Sequence, residues 1–557
     1  MSLVRSRSLL TAALVALAAA PTASQTPAHT STPITAAGLR QRLFIIAHDS
    51  MMGRRPGEAG DFKTAEYIAA EFKRFGLAPA GDNGTYFQTV PFFQVAVDPA
   101  SRITLDGAML AFDADWLPSN LGTGTRSLEG LATVYPGTTS DSAHWPSADA
   151  IAGRAVVFAV PAVASGRREY VRVGIVAGNP RFRRAAAIVL AERDLVAREL
   201  ASAIRGGALT PDSTRRSPLP PALLMTPRAA ALVVGGAIEQ ITPGTAGKAM
   251  HGSLVLSYRP VAYPARNIVG ILRGSDPALS STYVSVTAHN DHVGFNNAPV
   301  DHDSVRAYLK VKRPMGADSP DTPVTSPEQS AKIAQLLDSL RHTNTARRDS
   351  IMNGADDDGS GTVALLEIAE ELSGRAARPR RSIIFVSHTG EEYGLIGSGW
   401  FTDHATVAVD SIVGELDMDM IGRGGVNDLP AGGPTYLEVV GAKRLSTQFG
   451  DALEAANATQ PRPFVFNYEY DVPGHPLQYY CRADHYNYAR YGIPAVAFSR
   501  GEHLDYHQVT DEPQYIDYDA IARVAAFVRD AAVSIANRDA RPALDHPKGD
   551  PHAQCRQ

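Results

Sequence analysis

Apolar residues recur along the chain in two spacings, which together predict a fold in which strands alternate with helices. Short, largely apolar runs that indicate buried strands follow one another from about residue 265 onward: ARNIVGILRG (265–274), TYVSVTAH (282–289), RSIIFVSHTG (381–390), VGELDMDMIG (413–422), TYLEVVGA (435–442) and IPAVAFSRG (493–501). Residues 361–374 and 518–536 carry the pattern of helices instead. The alternation predicts the α/β class, with a mixed, mostly parallel central sheet flanked by helices.

Other parts of the chain carry different patterns. Residues 61–76 have apolar side chains at helical spacing and end at Gly76, a residue typical of helix ends. Between about 125 and 254, short apolar runs alternate with loops rich in Gly, Pro and Ser, and paired titratable residues are absent. We expect a separate small domain there, with a lid or binding role. Residues 296–350 read as a polar insertion that contains a helix at 326–343.

The first 25 residues have the pattern of a signal peptide. Arg5 and Arg7 precede the apolar run Leu9–Ala20, and small residues follow it. The run is too short to span a bilayer comfortably, and no later segment has the pattern of a transmembrane helix. We therefore expect a secreted or periplasmic protein without stable membrane insertion.

Composition narrows the functional classes. A chain of 557 residues is too long for one ordinary core, and its net charge of −5 gives no indication of a nucleic-acid partner. The two cysteines, Cys481 and Cys555, are too few for a cysteine zinc site. Whether they pair is left open, because Cys555 lies in a polar tail, residues 541–557, that we expect to be flexible. The sequence does not indicate an oligomeric state.

Clusters of His, Asp and Glu stand where predicted strands end or a helix begins, in the segments HNDH (289–292), ADDD (355–358), GEE (390–392), LDMD (416–419) and YHQVTD (506–511). Functional groups gather at the carboxyl ends of strands in open α/β sheets. So many carboxylates would repel one another unless cations bind among them. Imidazole and carboxylate ligands fit zinc. Asp357, in a tight turn, is suited to bridging two metal ions, and Asp291 is suited to orienting His289.

In this order, the motifs resemble the exported di-zinc aminopeptidase family, which shares its fold with glutamate carboxypeptidase and the transferrin receptor. IAGRAVVFAV (151–160), FRRAAAIVLAE (182–192) and PLPPALLMT (218–226) resemble the protease-associated insert of that family. The resemblance implies a catalytic domain formed by residues 36–124 and 255–540, an insert at 125–254, and two zinc ions per chain.

The resemblance also implies site residues. The implied zinc ligands are His289, Asp357, Glu392, Asp419 and His507. Asp357 would bridge the two ions, and its peptide bond to Asp358 would be cis. Asp419 takes the ligand position because DMIGR matches the ligand strand of the family. Asp417 would then support the ligands without binding metal itself.

The adjacent glutamates would divide two tasks that one residue cannot combine. Glu392 would bind metal, whereas Glu391 would keep a lone pair free and act as the general base toward a metal-activated water. Tyr506 or Tyr480 would donate a hydrogen bond to the developing oxyanion. Asp291 would hold the imidazole of His289.

The expected function is hydrolysis of N-terminal residues from peptides, because a site rich in carboxylates attracts a free α-ammonium group. Apolar side chains are expected to be preferred, since YGIPAVAF (491–498), Tyr479 and Tyr480 offer apolar walls. A carboxypeptidase or dipeptidase stays open, because Arg423, Arg482 or Arg500 could bind a carboxylate. A non-catalytic receptor-like protein and a single-zinc glutaminyl-cyclase-like enzyme are disfavoured by the complete ligand set.

Overall fold

The computed structural model describes the chain in segments, which are residues 32–120, 126–162, 168, 171, 176–196, 208–210, 220–320, 325–553 and 555–557. The predicted signal peptide at residues 1–25 lies outside the described residues. Within those segments, no helix has both the length and the apolar character that a membrane crossing requires.

A nine-stranded sheet forms the centre of the molecule. In chain order its strands are β1 (Ala78–Pro79), β2 (Phe87–Val90), β3 (Ala265–Leu272), β4 (Tyr283–His289), β5 (Ser382–His388), β6 (Ile412–Met418), β7 (Tyr436–Val440), β8 (Val465–Asn467) and β9 (Ala495–Ser499). In space the order is β1-β3-β5-β4-β6-β9-β7-β8, and β2 also pairs with β3. The pairings make β1, β2, β4, β5, β6 and β9 run in one direction and β3, β7 and β8 in the other. The prediction of a mixed, mostly parallel sheet is confirmed.

Helices cover both faces of this sheet, so every residue of β4, β5 and β6 is buried. Buried positions in these strands are therefore consecutive, whereas a strand with one exposed face would show them at every second residue. One face packs against the helices Ala36–Ile46, Ala59–Arg74, Gly359–Gly374, Thr447–Ala458 and Tyr518–Ala536. The opposite face packs against the shorter helices Ile396–Asp403 and His485–Ala489. The sheet is therefore the core of the larger unit.

A second unit is built on a five-stranded sheet whose strands, in spatial order, are Trp116–Asn120, Ala222–Met225, Ala187–Leu190, Ala155–Phe158 and Thr133–Val134. Among the residues described there, Ala148–Ile151 and Pro227–Val234 form α-helices. A four-stranded sheet comprises Ala108–Leu110, Arg102–Leu105, His251–Leu254 and Arg126–Ser127, and a three-stranded sheet comprises Ala208–Thr210, Phe93–Val97 and Leu256–Pro260.

The pairing in these sheets bears on the predicted domain boundary. Arg102–Leu105 pairs with His251–Leu254, and Trp116–Asn120 pairs with Ala222–Met225. A domain boundary after residue 124 therefore cuts through both sheets, and we propose that the small domain begins before Arg102. The apolar pattern alone does not reveal which sheet a strand joins. The protease-associated character of this unit stays a prediction.

The insertion at 296–350 is ordered where the structure describes it. Gly294–Asp301 and Arg348–Met352 form an antiparallel pair, from which the helices His302–Lys312 and Pro327–Thr343 and the short strand Pro314–Ala317 extend. The helix predicted at 326–343 is present, with Ser326 as its N-terminal capping residue.

The C-terminal tail, for which flexibility stays a prediction, is attached near its end to the larger unit. Cys555 forms a disulfide with Cys481, and their Cα atoms are 5.8 Å apart. The backbone N–H of Tyr480 donates to Oε1 of Gln557 at 2.9 Å. The bridge joins residues 74 positions apart, so the local polarity of the tail gave no indication of it.

Candidate metal centre and active site

Three neighbouring parallel strands bring the predicted site residues to one edge of the central sheet. Strand β4 ends at His289, β5 leads into Glu391 and Glu392, and β6 leads into Asp419. Since β4 lies between β5 and β6, these side chains converge from both sides.

The candidate ligands form two groups that share one residue. In each group the ligand atoms lie within 4.8 Å of one another, and the groups are His289, Asp357 and Asp419, and His292, Asp357, Glu392 and His507. Nε2 of His289 is 3.2 Å from Oδ1 of Asp357 and 3.6 Å from Oδ1 of Asp419. Nε2 of His507 is 3.1 Å from the other oxygen of Asp357, Oδ2. The two carboxylate oxygens of Asp357 thus face different groups.

All five predicted ligands are brought together, and the structure adds His292, to which the sequence analysis gave no role. Its Nδ1 atom lies 2.6 Å from Oε1 of Glu392 and 3.7 Å from Oδ2 of Asp357, and its side chain is fully buried. The signal was present in the sequence, because His292 follows His289 by three residues at the same strand end.

The ligand atoms lack the hydrogen bonds that buried polar atoms normally make. Buried atoms without a hydrogen-bond partner are Nε2 of His289, both ring nitrogens of His292, Oδ2 of Asp357, Oε1 of Glu392, Oδ1 of Asp419 and Nε2 of His507. Buried polar atoms without a hydrogen-bond partner are rare in folded proteins. Imidazole nitrogens and carboxylate oxygens that face one another in this way fit zinc.

The loop that carries Asp357 is fixed from several directions. The Asp357–Asp358 peptide bond is cis, as the resemblance implied. The carboxylate of Asp358 accepts from the backbone N–H groups of His289 at 3.1 Å and Gly361 at 2.8 Å. The second of these bonds caps the helix Gly359–Gly374. Asp358 therefore ties the end of β4 to the start of that helix.

Arg54 is a buried cation that joins the two ligand loops. Its guanidinium donates to the carbonyls of Asn290 at 2.8 Å, Gly354 at 2.8 Å and Asp357 at 3.2 Å, and to the carbonyl of Asn353. The side chain is 1% exposed. The sequence did not indicate a role for Arg54, because a carbonyl partner leaves no trace in side-chain composition.

Glu391 lies beside the ligands without belonging to either group. Its Oε2 atom is 3.9 Å from Nε2 of His289, and its backbone N–H donates to Oδ1 of Asp291 at 3.1 Å. Burial, together with the charges of Asp419 and Glu392, raises the pKa of the Glu391 carboxyl well above its ordinary value. Bound cations would oppose this rise.

Two further carboxylates support the imidazole and the ligand strand. Nδ1 of His289 lies 3.2 Å from the carbonyl and 3.5 Å from the carboxylate of Asp291, where the sequence predicted an orienting group. Asp417 accepts from the hydroxyl of Thr287 at 2.8 Å, and burial beside Asp419 raises the pKa of Asp417 to about 7. Asp417 belongs to neither ligand group.

A cavity of about 330 Å³ opens over the two groups. Tyr506 lines it, and its ring stacks on that of His507 with centroids 3.9 Å apart. The ring of Tyr480 instead packs beneath Arg444, whose Cζ atom is 4.1 Å from the ring centroid, and the neighbouring Tyr479 lines the cavity. Of the two tyrosines predicted for the oxyanion, only Tyr506 therefore lines the cavity.

Comparison with known proteins relates the candidate site to a peptidase family. Residues 267–532, which carry all the candidate ligands, match the model of peptidase family M28. Residues 267–532 therefore resemble an M28 peptidase domain, and the donor set that they carry fits the zinc ion.

Individual relatives resemble shorter parts of the chain. Aminopeptidase NAALADL1 of Rattus norvegicus is 53% identical over 60 residues, which are 10% of this chain and 8% of the relative. A probable zinc metalloprotease of Pyricularia oryzae is 26% identical over 228 residues, which are 35% of this chain and 45% of the relative. The chain covers less than half the length of each of these curated relatives.

The fold of the whole chain also has a counterpart. The aminopeptidase from Aneurinibacillus sp. strain AM-1 superposes with a TM-score of 0.50 and 16% sequence identity. The superposition covers 93% of this chain and 98% of that one. At this identity the similarity concerns the fold alone.

The insertion at 296–350 holds one ligand loop of the M28-like domain. Arg306 pairs with Asp505 at 3.2 Å, and Nη1 of Arg313 donates to the carbonyl of Tyr506 at 3.1 Å. The loop carries His507 in a left-handed conformation with φ of 55°. The insertion therefore supports the segment that presents Tyr506 and His507 to the cavity.

The role of Arg54 leads to a first prediction. Arg54→Met should lower the free energy of unfolding by on the order of 3 kcal/mol, because buried carbonyls lose a charged donor. It should also weaken metal binding, since both ligand loops lose a common support. Denaturant unfolding and zinc titration measure the two effects.

Arg55→Met is the matched control, because Arg55 is about one-third exposed and pairs with Glu58 at the surface. We expect a change below about 1 kcal/mol there. Equal effects of the two substitutions would contradict the role given to Arg54.

Proposed function

We propose that the protein is an exported aminopeptidase that uses two zinc ions. The observation that carries the proposal is Asp357, whose two carboxylate oxygens face two separate sets of buried ligand atoms. A carboxylate in this position is suited to bridging two cations.

The residues available for the two ions follow from the two groups. His289, Asp357 and Asp419 would hold one ion, and Asp357, Glu392 and His507 the other, with His292 beside the second. Zinc, when bound, supplies a Lewis acid that polarises the scissile carbonyl and lowers the pKa of water. Every ligand is present, which argues against a receptor-like protein, and the second group argues against a single-zinc enzyme.

Glu391 is the general base in this proposal. Its carboxylate lines the cavity next to both groups but is absent from each of them, so its oxygens stay free for a proton. It accepts a proton from the attacking water and passes it to the nitrogen of the leaving amine. Asp291 positions it by accepting from the backbone N–H of Glu391.

Tyr506 supplies the hydrogen bond to the developing oxyanion. It lines the cavity beside His507, and a phenol O–H is a donor that requires no change of charge. The contact between Arg313 and the carbonyl of Tyr506 keeps this segment in place.

The charges of the cavity support recognition of the amino terminus. Of the three arginines considered for a substrate carboxylate, Arg423 is paired with Asp428 and Asp505. Arg500 is buried and donates to backbone carbonyls. Only Arg482 lines the cavity, and it pairs with Glu502 at 2.5 Å.

A substrate carboxylate would therefore find no unpaired guanidinium among these three. An α-ammonium group, in contrast, enters a field set by Glu391, Asp419 and their neighbours. This contrast favours an aminopeptidase over a carboxypeptidase.

Export remains part of the proposal, whereas the expected preference for apolar side chains has support in only part of the cavity wall. The signal-peptide pattern supports export, and so does the Cys481–Cys555 disulfide, since disulfides persist in oxidising compartments. Val440, Ala497 and Tyr479 supply apolar wall to the cavity, although Glu438 and Glu502 line it as well.

The number of metal ions is a second prediction. Elemental analysis of the purified protein should give two zinc ions per chain, and a strong chelator should abolish activity until zinc is restored. His342→Gln serves as a control, because the His342 side chain is 74% exposed and lies outside both ligand groups. Full activity with one zinc ion or none would refute the two-metal proposal.

The two adjacent glutamates give a third prediction. Glu391→Gln should retain both metal ions but reduce kcat by on the order of 10²–10⁴, the usual contribution of a general acid–base group. Glu392→Gln should reduce the zinc content, because it removes a ligand. Measurement of zinc content and kcat on both variants separates the roles, and the reverse pattern would show that they are exchanged.

The substrate terminus is the subject of a fourth prediction. Leucine anilide should be hydrolysed and its N-acetyl derivative should not, because acetylation removes the ammonium group that the carboxylates attract. Rates for the two compounds at equal concentration provide the test. Equal rates, or release of a C-terminal residue from an N-blocked peptide, would exclude an aminopeptidase while leaving a zinc peptidase possible.

A further inference from the structure

The cavity extends from the metal ligands along one face of β7 and β9. In these antiparallel strands Val440 is paired with Ala497, and Glu438 with Ser499, and all four residues line the cavity. The small side chains of Ala497 and Ser499 leave room above the sheet. A carboxylate is thus built into the cavity wall by the central sheet itself.

Glu438 is a buried carboxylate with one oxygen unused. Its Oε1 atom accepts from the hydroxyl of Tyr436 at 2.6 Å, whereas Oε2 has no hydrogen-bond partner. The residue is 1% exposed. A buried carboxylate oxygen without a partner, such as this one, is suited to accept a hydrogen bond from a ligand.

Two more carboxylates lie around it. Glu502 lines the same cavity, and Asp318 accepts from the hydroxyl of Tyr479 at 2.9 Å. Within the described part of the chain, Arg482 is the only lysine or arginine that lines this cavity, and it pairs with Glu502. Acidic side chains in this region thus outnumber basic ones by three to one.

We propose that this part of the cavity receives the basic side chain of an N-terminal lysine or arginine. The inference rests on the proposed aminopeptidase function and names its substrate class. The aliphatic part of such a side chain would pack on Tyr479, Val440 and Ala497, and its cationic end would reach Oε2 of Glu438. A long basic side chain therefore matches both the apolar walls and the carboxylate, whereas a purely apolar one leaves Glu438 unpaired.

The electrostatics of Glu438 agree with this arrangement. Burial, with added repulsion from Glu502 and Asp318, raises the pKa of Glu438 to about 8. A cation placed against Oε2 would offset both effects. An apolar side chain would add to the burial and supply no charge.

Binding of two matched compounds tests the inference independently of catalysis. L-Lysinol and L-norleucinol carry the same α-amine and differ only in the ammonium group at the end of the side chain. We expect isothermal titration to give a Kd for lysinol at least 10-fold lower with the wild-type protein. In Glu438→Gln, which keeps the shape and the hydrogen bond to Tyr436, the ratio should fall below about 3-fold.

Glu328→Gln is the control, because it removes a glutamate charge from the exposed start of the helix Pro327–Thr343. It should keep the wild-type ratio. Equal affinity for the two alcohols, no binding of either, or an unchanged ratio in Glu438→Gln would overturn the proposal.

Hydrolysis of lysine and norleucine anilides separates this inference from the proposed function. With both correct, kcat/KM should favour the lysine anilide, and Glu438→Gln should lower the ratio of kcat/KM for the lysine anilide to kcat/KM for the norleucine anilide. If neither anilide is hydrolysed but lysinol binds through Glu438, the pocket stands and the aminopeptidase proposal fails. If the norleucine anilide is hydrolysed equally well, the pocket inference fails and the aminopeptidase proposal stands.

Discussion

Repulsion between carboxylates at one edge of the central sheet is the constraint on which the rest of the structure depends. The acidic groups gathered there are Asp357, Glu391, Glu392, Asp417 and Asp419. Asp357 and Asp417 are buried, the other three are mostly shielded from water, and the nearby cation Arg54 donates to backbone carbonyls instead. Divalent cations would convert this repulsion into attraction, which would link metal binding to the stability of the folded state. The buried ligand atoms that lack hydrogen-bond partners reflect the same repulsion.

The scaffold around the edge keeps the ligand atoms in register. Asp358 ties β4 to the helix Gly359–Gly374, and Arg54 ties the loop after β4 to the loop before that helix. On the far side, Arg306 and Arg313 of the insertion fix the loop of His507. Positions that must hold to fractions of an ångström are thus supported by charged hydrogen bonds, which are stronger and more directional than apolar packing. The need for charged hydrogen bonds to the ligand loops explains why a polar insertion lies beside the site.

The fold and most of the site follow from sequence because both depend on local patterns. Continuous apolar runs identify buried strands, and the carboxyl ends of neighbouring parallel strands meet, so His289, Glu392 and Asp419 could be brought together without coordinates. Features that depend on distant pairing could not be predicted in this way. They include the pairing of Arg102–Leu105 with His251–Leu254, the disulfide of the tail, and the wall formed by Glu438. Tyr480 shows a further limit, because sequence adjacency to Tyr479 does not determine which of the two rings faces the cavity.

Anomalous diffraction at the zinc absorption edge tests the central claim most directly, because it locates each ion rather than counting ions. We expect two peaks, one on each side of Asp357: the first beside His289 and Asp419, and the second beside Glu392, His507 and His292. A single peak, or peaks away from Asp357 in a crystal of the active protein, would contradict the claim that two cations resolve the carboxylate repulsion at this edge.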